Sequence, residues 1–404
     1  MTPFRVSDVD IPPPWTEEGQ MRAAAWYSAV HKRGPVAVDD ASGALIYLGF
    51  DAVRSFLSEP GIWTLEKRLS GSKATTAIRL LSIDPPLHTQ VREHFANAYR
   101  PKRIQAIEVA LRTVARVRAR QCVEMGTFDV VEDYIKPISV AGICELIGIP
   151  ENGHDLMMLL NQVGSSVAPI RPLATASLVE QLSVGSKMNG VEQVLPYFHA
   201  LIEERRREPH DDLVSALAEM PPMEVPQGVL DVATFLYEQF FAGTNTTVHT
   251  FTSMVLELNR HRDLLAQLRE DRSLIKPLIE EVLRLHSPIQ ARPRVAAGDT
   301  VQDGIAIREG GWGLGYISCA NRDPAVFPNP DRLDIHRPTN PQMAFGRGAH
   351  FCIGMHLARM ELRVGMEEWL DAIADFAPTE QTADENWISD FVLHGLTHYR
   401  VTVA

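Results

Sequence analysis

Only four cysteines occur in the 404-residue chain, at 122, 144, 319 and 352. They are too few for a disulfide scaffold, and no CxxC pair suggests a structural zinc site of the usual spacing. That usage predicts a reduced, cytoplasmic compartment. Positive charge is also short: 39 Lys plus Arg stand against 51 Asp plus Glu, a net charge of −12. Nucleic-acid binding needs a basic face, so that class is excluded. Long hydrophobic runs are missing, and no apolar segment reaches the length that spans a bilayer. The acidic, proline-rich start MTPFRVSDVDIPPPWTEEGQ has no basic stretch followed by an apolar run, so neither a secretory signal nor a membrane partner is expected. Internal repeats, low-complexity tracts and Gly/Ser linkers are absent as well. One large domain over residues 1–404 is expected rather than a string of modules.

Hydrophobic residues make up 45% and charged residues 22%, ample apolar surface for a core. Residues 36–38 and 45–48 flank a turn at 39–43 and predict a hairpin. Further strands are expected near 294–318 and at 399–403, which places the β-rich parts at about 35–50, 290–320 and 388–404. Asp84-Pro85-Pro86 reads as a helix start, a cap followed by prolines that suit the first turn. Apolar positions recur at helical spacing in 103–125, 193–207, 229–260, 262–270 and 273–286. The fold class is therefore mainly α with a small β lobe.

The stretch 229–260 would span roughly 48 Å as one helix. Between Asp231 and Glu257 its only acid or base besides His249 is Glu238, and a helix apolar on most sides is buried. Its middle reads Ala242-Gly243-Thr244-Asn245-Thr246-Thr247. Glycine there costs about 1 kcal/mol against alanine, and threonine can bond to the preceding turn and bend the helix. A central helix weakened at its midpoint points to something held against it.

The sharpest local pattern is Phe345-Gly346-Arg347-Gly348-Ala349-His350-Phe351-Cys352-Ile353-Gly354, followed by a helical run at 355–362. Glycines let backbone N–H groups approach the sulfur, and the helix points its positive end at it. Both effects favour thiolate, so Cys352 is expected to be a nucleophile or an axial metal ligand.

This loop resembles FGxGxHxCxG, the haem-binding loop of the cytochrome P450 family of haem-thiolate monooxygenases. The resemblance implies a P450 fold with a long central helix over haem b. It makes Cys352 the proximal iron ligand and places Phe345, His350 and Gly354 against the cofactor. Glu281-Val282-Leu283-Arg284 is similar to the family's ExxR pair, whose i, i+3 spacing puts both charges on one helix face, with Arg332 or Arg337 as third partner. Residues 321–324 and 327–332 resemble the stretch between these motifs. His88 and Arg92 match the family's propionate-binding HxxxR, and Arg294 and His350 match its other propionate donors. The resemblance covers roughly residues 35 to 404.

The same resemblance assigns the far side of the haem. Ala242, Gly243 and Thr246 match Ala/Gly-Gly-x-Asp/Glu-Thr, which implies that the Thr246 hydroxyl helps deliver protons to dioxygen. Asn245 stands where the acid is expected. It hydrogen-bonds but cannot carry a titrating proton, so proton delivery is slowed or rerouted, unless water and Thr246 suffice. Glu238 shares a helix face with Ala242, Asn245 and Thr246. It is expected to bind a polar group of the substrate or to substitute as proton source, the alternative being a turn toward solvent or an arginine. Pocket positions by resemblance are also Phe241, Ile289, Gln290, Arg292, Val392 and Leu393, with a lid at 156–182 and the loop 63–80. Such a mixed pocket predicts an amphipathic aromatic or heterocyclic substrate. Lys102, Arg103, Arg347 and Arg359 form a candidate basic patch for an acidic electron-transfer protein.

The implied reaction is hydroxylation or epoxidation of a specialised metabolite, free or tethered to a carrier protein, using O2 and two electrons. The chain ends soon after the loop, so a fused reductase is not expected, and NAD(P)H would act through a ferredoxin and ferredoxin reductase. Oxidative coupling, cyclisation or desaturation without oxygen insertion is the alternative. A non-catalytic haem sensor or electron carrier is the third reading.

Overall fold

The computed structural model describes residues 2–65, 80–96, 98–153, 191–221, 223–225, 228–379, 387–388 and 392–403. The expected lid at 156–182 and most of the loop 63–80 lie outside them. The described chain is mainly helical. Six short strands form the largest sheet, in the order Phe4–Arg5, Val36–Val38, Leu45–Tyr47, Trp312–Tyr316, Ala291–Ala296 and Trp63–Thr64. The expected hairpin is present, with Val36 opposite Tyr47 and Val38 opposite Leu45. The strand at the C-terminus, Arg400–Val403, joins a separate sheet with Phe376–Pro378 and Thr127–Asp129. Gly313 and Gly315 are required in their strand because a Cβ at either would lie 2.6 Å from the Phe56 ring. Their absence of side chains lets the aromatic residues Phe56, Trp63 and Tyr47 pack on that face.

The central helix runs from Val232 to Arg260 and is buried over most of its length. It starts later than the spacing predicts because Gly228–Val229 pairs with Glu224–Val225. Asp231 then caps the helix, its carboxylate accepting from the Ala233 N–H at 3.0 Å. Threonines 244, 246, 247, 250 and 252 all donate to the carbonyl four residues earlier. Helix Lys136–Ile147 packs across it, with every residue except Glu145 buried.

Helix Met355–Ala372, which follows the glycine loop, lies along helix Pro101–Met125. A charge network joins the two. Arg112 donates to Glu108, Glu367 and Glu368, Arg116 to Glu368, and Arg363 to Glu108 and Glu367. Helix Leu87–Ala96 begins after the prolines, with the His88 N–H donating to the Asp84 carbonyl at 2.9 Å. The Asp84 carboxylate accepts from the Thr64 hydroxyl and the Leu65 N–H. No helix of the described residues is long and apolar enough to cross a membrane.

Candidate functional site

The glycine loop is fixed from behind by the Glu281–Arg284 pair. Arg284 makes a two-pronged contact with Glu281, at 2.9 and 2.8 Å, and both side chains are at most 1% exposed. The third partner is Arg337, whose Nε donates to Glu281 at 2.9 Å, while Arg332 contributes only its carbonyl to Arg284. Asn340 and the Asp334 N–H also donate to Glu281. Arg284 further reaches the carbonyls of Asn321 and Pro330. A buried ion pair is stable only when its remaining donors and acceptors are met, and here they are.

Within the loop, Gly346 and Gly348 have φ of 74° and 72°, the left-handed region that favours glycine. A Cβ on Gly348 would lie 2.6 Å from the Leu57 carbonyl oxygen. The Cys352 N–H donates to the Phe345 carbonyl at 2.9 Å, which closes the loop. Even a Cβ on Gly354 would come no nearer the Cys352 sulfur than 4.0 Å. Burial pushes the Cys352 thiol up, against the Gly354 N–H and the charges of Arg292, Arg92 and Arg359. Desolvation is the larger effect, and the Gly354 N–H opposes it in the direction expected of the loop. A metal cation at the sulfur would favour the thiolate further.

Four polar atoms beside the loop make no hydrogen bond. Both ring nitrogens of His88 and both of His350 are buried without a hydrogen bond, and the rings lie 4.1 Å apart. Burial, then His350 and Arg92, push His88 down to about 4. Burial lowers His350 too, although Asp84 lies 3.7 Å away. Such a pair calls for an anionic partner with several acceptor oxygens, and the two propionates of haem fit it. Arg294 is buried close by and spends one N–H on the Pro293 carbonyl. Arg92 donates to the Phe351 carbonyl at 2.6 Å, bracing the loop as well as facing the site.

Opposite the loop, Ala242 is exposed in the middle of the otherwise buried central helix, and Phe241, Gly243, Asn245 and Thr246 are half-exposed around it. This open strip is where a flat cofactor would lie. The Thr246 hydroxyl donates to the Ala242 carbonyl at 2.9 Å. Two polar pocket candidates are engaged elsewhere. Glu238 is buried and accepts from the backbone N–H groups of Leu80 and Leu81, at 2.8 and 3.4 Å. It is neither turned to solvent nor, in these bonds, paired with an arginine, because two backbone donors solvate it. Gln290 accepts from the Tyr27 hydroxyl at 3.0 Å in a buried contact with the N-terminal helices. Ile289 and Leu393 face each other in a β-bridge, and Val392 accepts from the Gln290 N–H. The basic patch is reduced: Arg359 is held by Glu280, Arg103 by Asp211 and the Glu145 carbonyl, and Arg347 by the Pro341 carbonyl.

One residue escaped sequence reasoning. Glu361 is fully buried against the central helix, and burial drives its carboxyl well above the usual range despite donors on Thr247 and Ser139. Ser139 also reaches the Gly243 and Thr244 carbonyls. Gly142 makes the room, since a Cβ there would collide with the Glu361 carboxyl. The signal was an acid between Met360 and Leu362, in line with the buried positions of its helix.

The family model for cytochrome P450 matches residues 184–385. The mycinamicin IV hydroxylase/epoxidase of Micromonospora griseorubida is 31% identical over 323 residues, covering 78% of this chain and 77% of that protein. The solved structure of cytochrome P450 CYP109Q5 from Chondromyces apiculatus superposes with a TM-score of 0.80 at 26% identity, over 96% of this chain and 98% of the other. That of HmtN, a post-tailoring hydroxylase involved in himastatin biosynthesis, gives 0.78 at 27% identity, over 92% and 94%. The chain belongs to the cytochrome P450 family. It is a P450 oxidoreductase, and the family implies haem iron and a small-molecule substrate.

Proposed function

We propose that residues 1–404 act as one catalytic domain in the cytoplasm. It hydroxylates or epoxidises an amphipathic aromatic or heterocyclic specialised metabolite, with electrons from NAD(P)H through a ferredoxin and its reductase. The observation that carries this reading is the buried His88–His350 pair without hydrogen bonds beside the Cys352 loop, together with the open strip around Thr246 on the central helix. Haem iron ligated by a thiolate activates dioxygen with two electrons. Cys352 would supply that thiolate, with the Gly354 N–H and three arginines offsetting the burial of its charge. His88, His350 and Arg294 would take the propionates. Thr246 would hand on protons. Asn245 beside it hydrogen-bonds without titrating, while burial raises the Glu361 carboxyl behind the helix. The relatives that act on mycinamicin IV and in himastatin biosynthesis support oxygen insertion into a specialised metabolite.

A second reading rests on Asn245. With no acid at that position, substrate oxidation by coupling, cyclisation or desaturation competes with oxygen insertion. The test begins with the reduced CO spectrum and an absorption titration of the ferric protein against amphipathic aromatic compounds. Turnover under labelled dioxygen follows. Label in the product supports insertion, and turnover without label supports the second reading. A protein that binds haem but consumes no reductant with any ligand would be a sensor or carrier. Saturation by carrier-tethered compounds alone would identify the substrate's form.

A further inference from the structure

Alternation along strand Ala291–Ala296 places Arg292, Arg294 and Ala296 on one face. The two arginines lie opposite Gly315 and Gly313. They then part company. Arg294 is bonded to the Pro293 carbonyl and has further contacts. The Arg292 side chain makes no hydrogen bond and no ion pair among the described residues, and it is half-exposed. The charges that reach it are those of Cys352, Glu238 and His350. Glu238 already accepts two backbone N–H groups, and the other two are the candidate haem ligand and a propionate donor. An arginine stays charged in any protein setting, and a guanidinium removed from bulk water without a partner is costly. Its five N–H donors in a planar fork match a carboxylate in two-pronged fashion.

We propose that Arg292 is a carboxylate-binding residue of the substrate pocket and that the enzyme selects an amphipathic substrate carrying a carboxylate. Its neighbourhood favours this source over a haem propionate. The His88–His350 pair and Arg294 already offer donors to both propionates, whereas Arg292 lies on the strand that continues from Ile289, the residue bridged to Leu393. This inference rests on the haem-site reading above and deepens it by naming the substrate's charge.

The test uses holoenzyme and a ligand series that does not require the native substrate: imidazolyl-alkanoic acids of increasing chain length, each with its methyl ester. Imidazole anchors each probe at the haem iron, and the free end samples the pocket. At one chain length or more the acid should bind at least about tenfold tighter than its ester, as a charge-assisted pair would give. That preference should vanish in R292Q and partly return in R292K. Haem transfer from holoenzyme to apomyoglobin should be unchanged in R292K, which keeps the charge near Cys352. Acids that bind no better than esters at every length overturn the proposal. So does accelerated haem loss in R292Q with the acid preference intact, which would assign Arg292 to a propionate. If imidazole itself fails to perturb the absorption band, the haem-site reading fails, and that result is distinct from either outcome.

Discussion

The two flanks of the glycine loop are built on opposite plans. Behind it, Glu281 and Arg284 are at most 1% exposed and have their charges answered by Arg337, Asn340 and backbone groups. In front of it, both ring nitrogens of His88 and of His350 are buried without hydrogen bonds, and the Arg292 side chain is half-exposed. A completed network contributes to the stability of the chain alone. An incomplete one costs stability until a ligand completes it. Stability and ligand affinity are therefore kept by different residues, and substitutions on the two flanks should separate them.

The largest effect is expected at the completed flank. Glu281→Gln keeps the shape but leaves Arg284 buried without its counter-charge, which should cost about 3–5 kcal/mol in chemical denaturation. A loss under about 1 kcal/mol would break the comparison, since that is the range of an exposed pair. His249 sharpens it with a buried ring that no ligand is proposed to reach. Burial pushes that ring from 6.5 to about 4, with Lys136 adding to the shift and the Leu396 carbonyl opposing it. Between those values the unfolded chain takes up a proton that the folded chain refuses. Stability should fall as pH drops through that window, by up to about 3 kcal/mol, and level off below it. His249→Phe should make melting temperature fall less steeply as pH drops, and an unchanged slope would show that other groups carry it. On the incomplete flank, His88→Leu with His350→Leu should leave the apoprotein as stable as before. Haem transfer to apomyoglobin should accelerate about tenfold or more, the value of a charge-assisted bond. An apoprotein that melts much earlier would mean the pair is structural. The smallest effect is expected for Asn245→Asp, which should raise product formed per NAD(P)H severalfold if proton delivery is rerouted. Unchanged coupling would sink that idea.

Legibility in the sequence followed the range of each interaction. The loop 345–354 could be read because its glycines, histidine and cysteine act on near neighbours. Arg332 and Arg337 could not be told apart, since both lie in irregular chain where no period says which side chain turns inward. Glu238 was recognisable as a buried acid, but its donors are 158 positions away at Leu80. The Gln290 contact with Tyr27 spans 263 positions and was equally hidden. Helix Lys136–Ile147 escaped because it is apolar on nearly all sides and has no polar face to reveal a period. The late start of the central helix depended on a two-residue strand pair.

The charge clamp between helices Pro101–Met125 and Met355–Ala372 sets an azimuth. A slip of one residue turns an α-helix by about 100°. It would tear Arg363 and Glu367 from their partners and swing Glu361 out of its niche beside Ser139. Cys352 lies just ahead of that helix, so the bearing of its sulfur is indexed by charges about three to four turns further along. Those charges are half-exposed, and dissolved salt weakens them long before it reaches the buried Glu281 network. Ionic strength would then loosen the clamp between these two helices before it loosened the buried anchor behind the glycine loop.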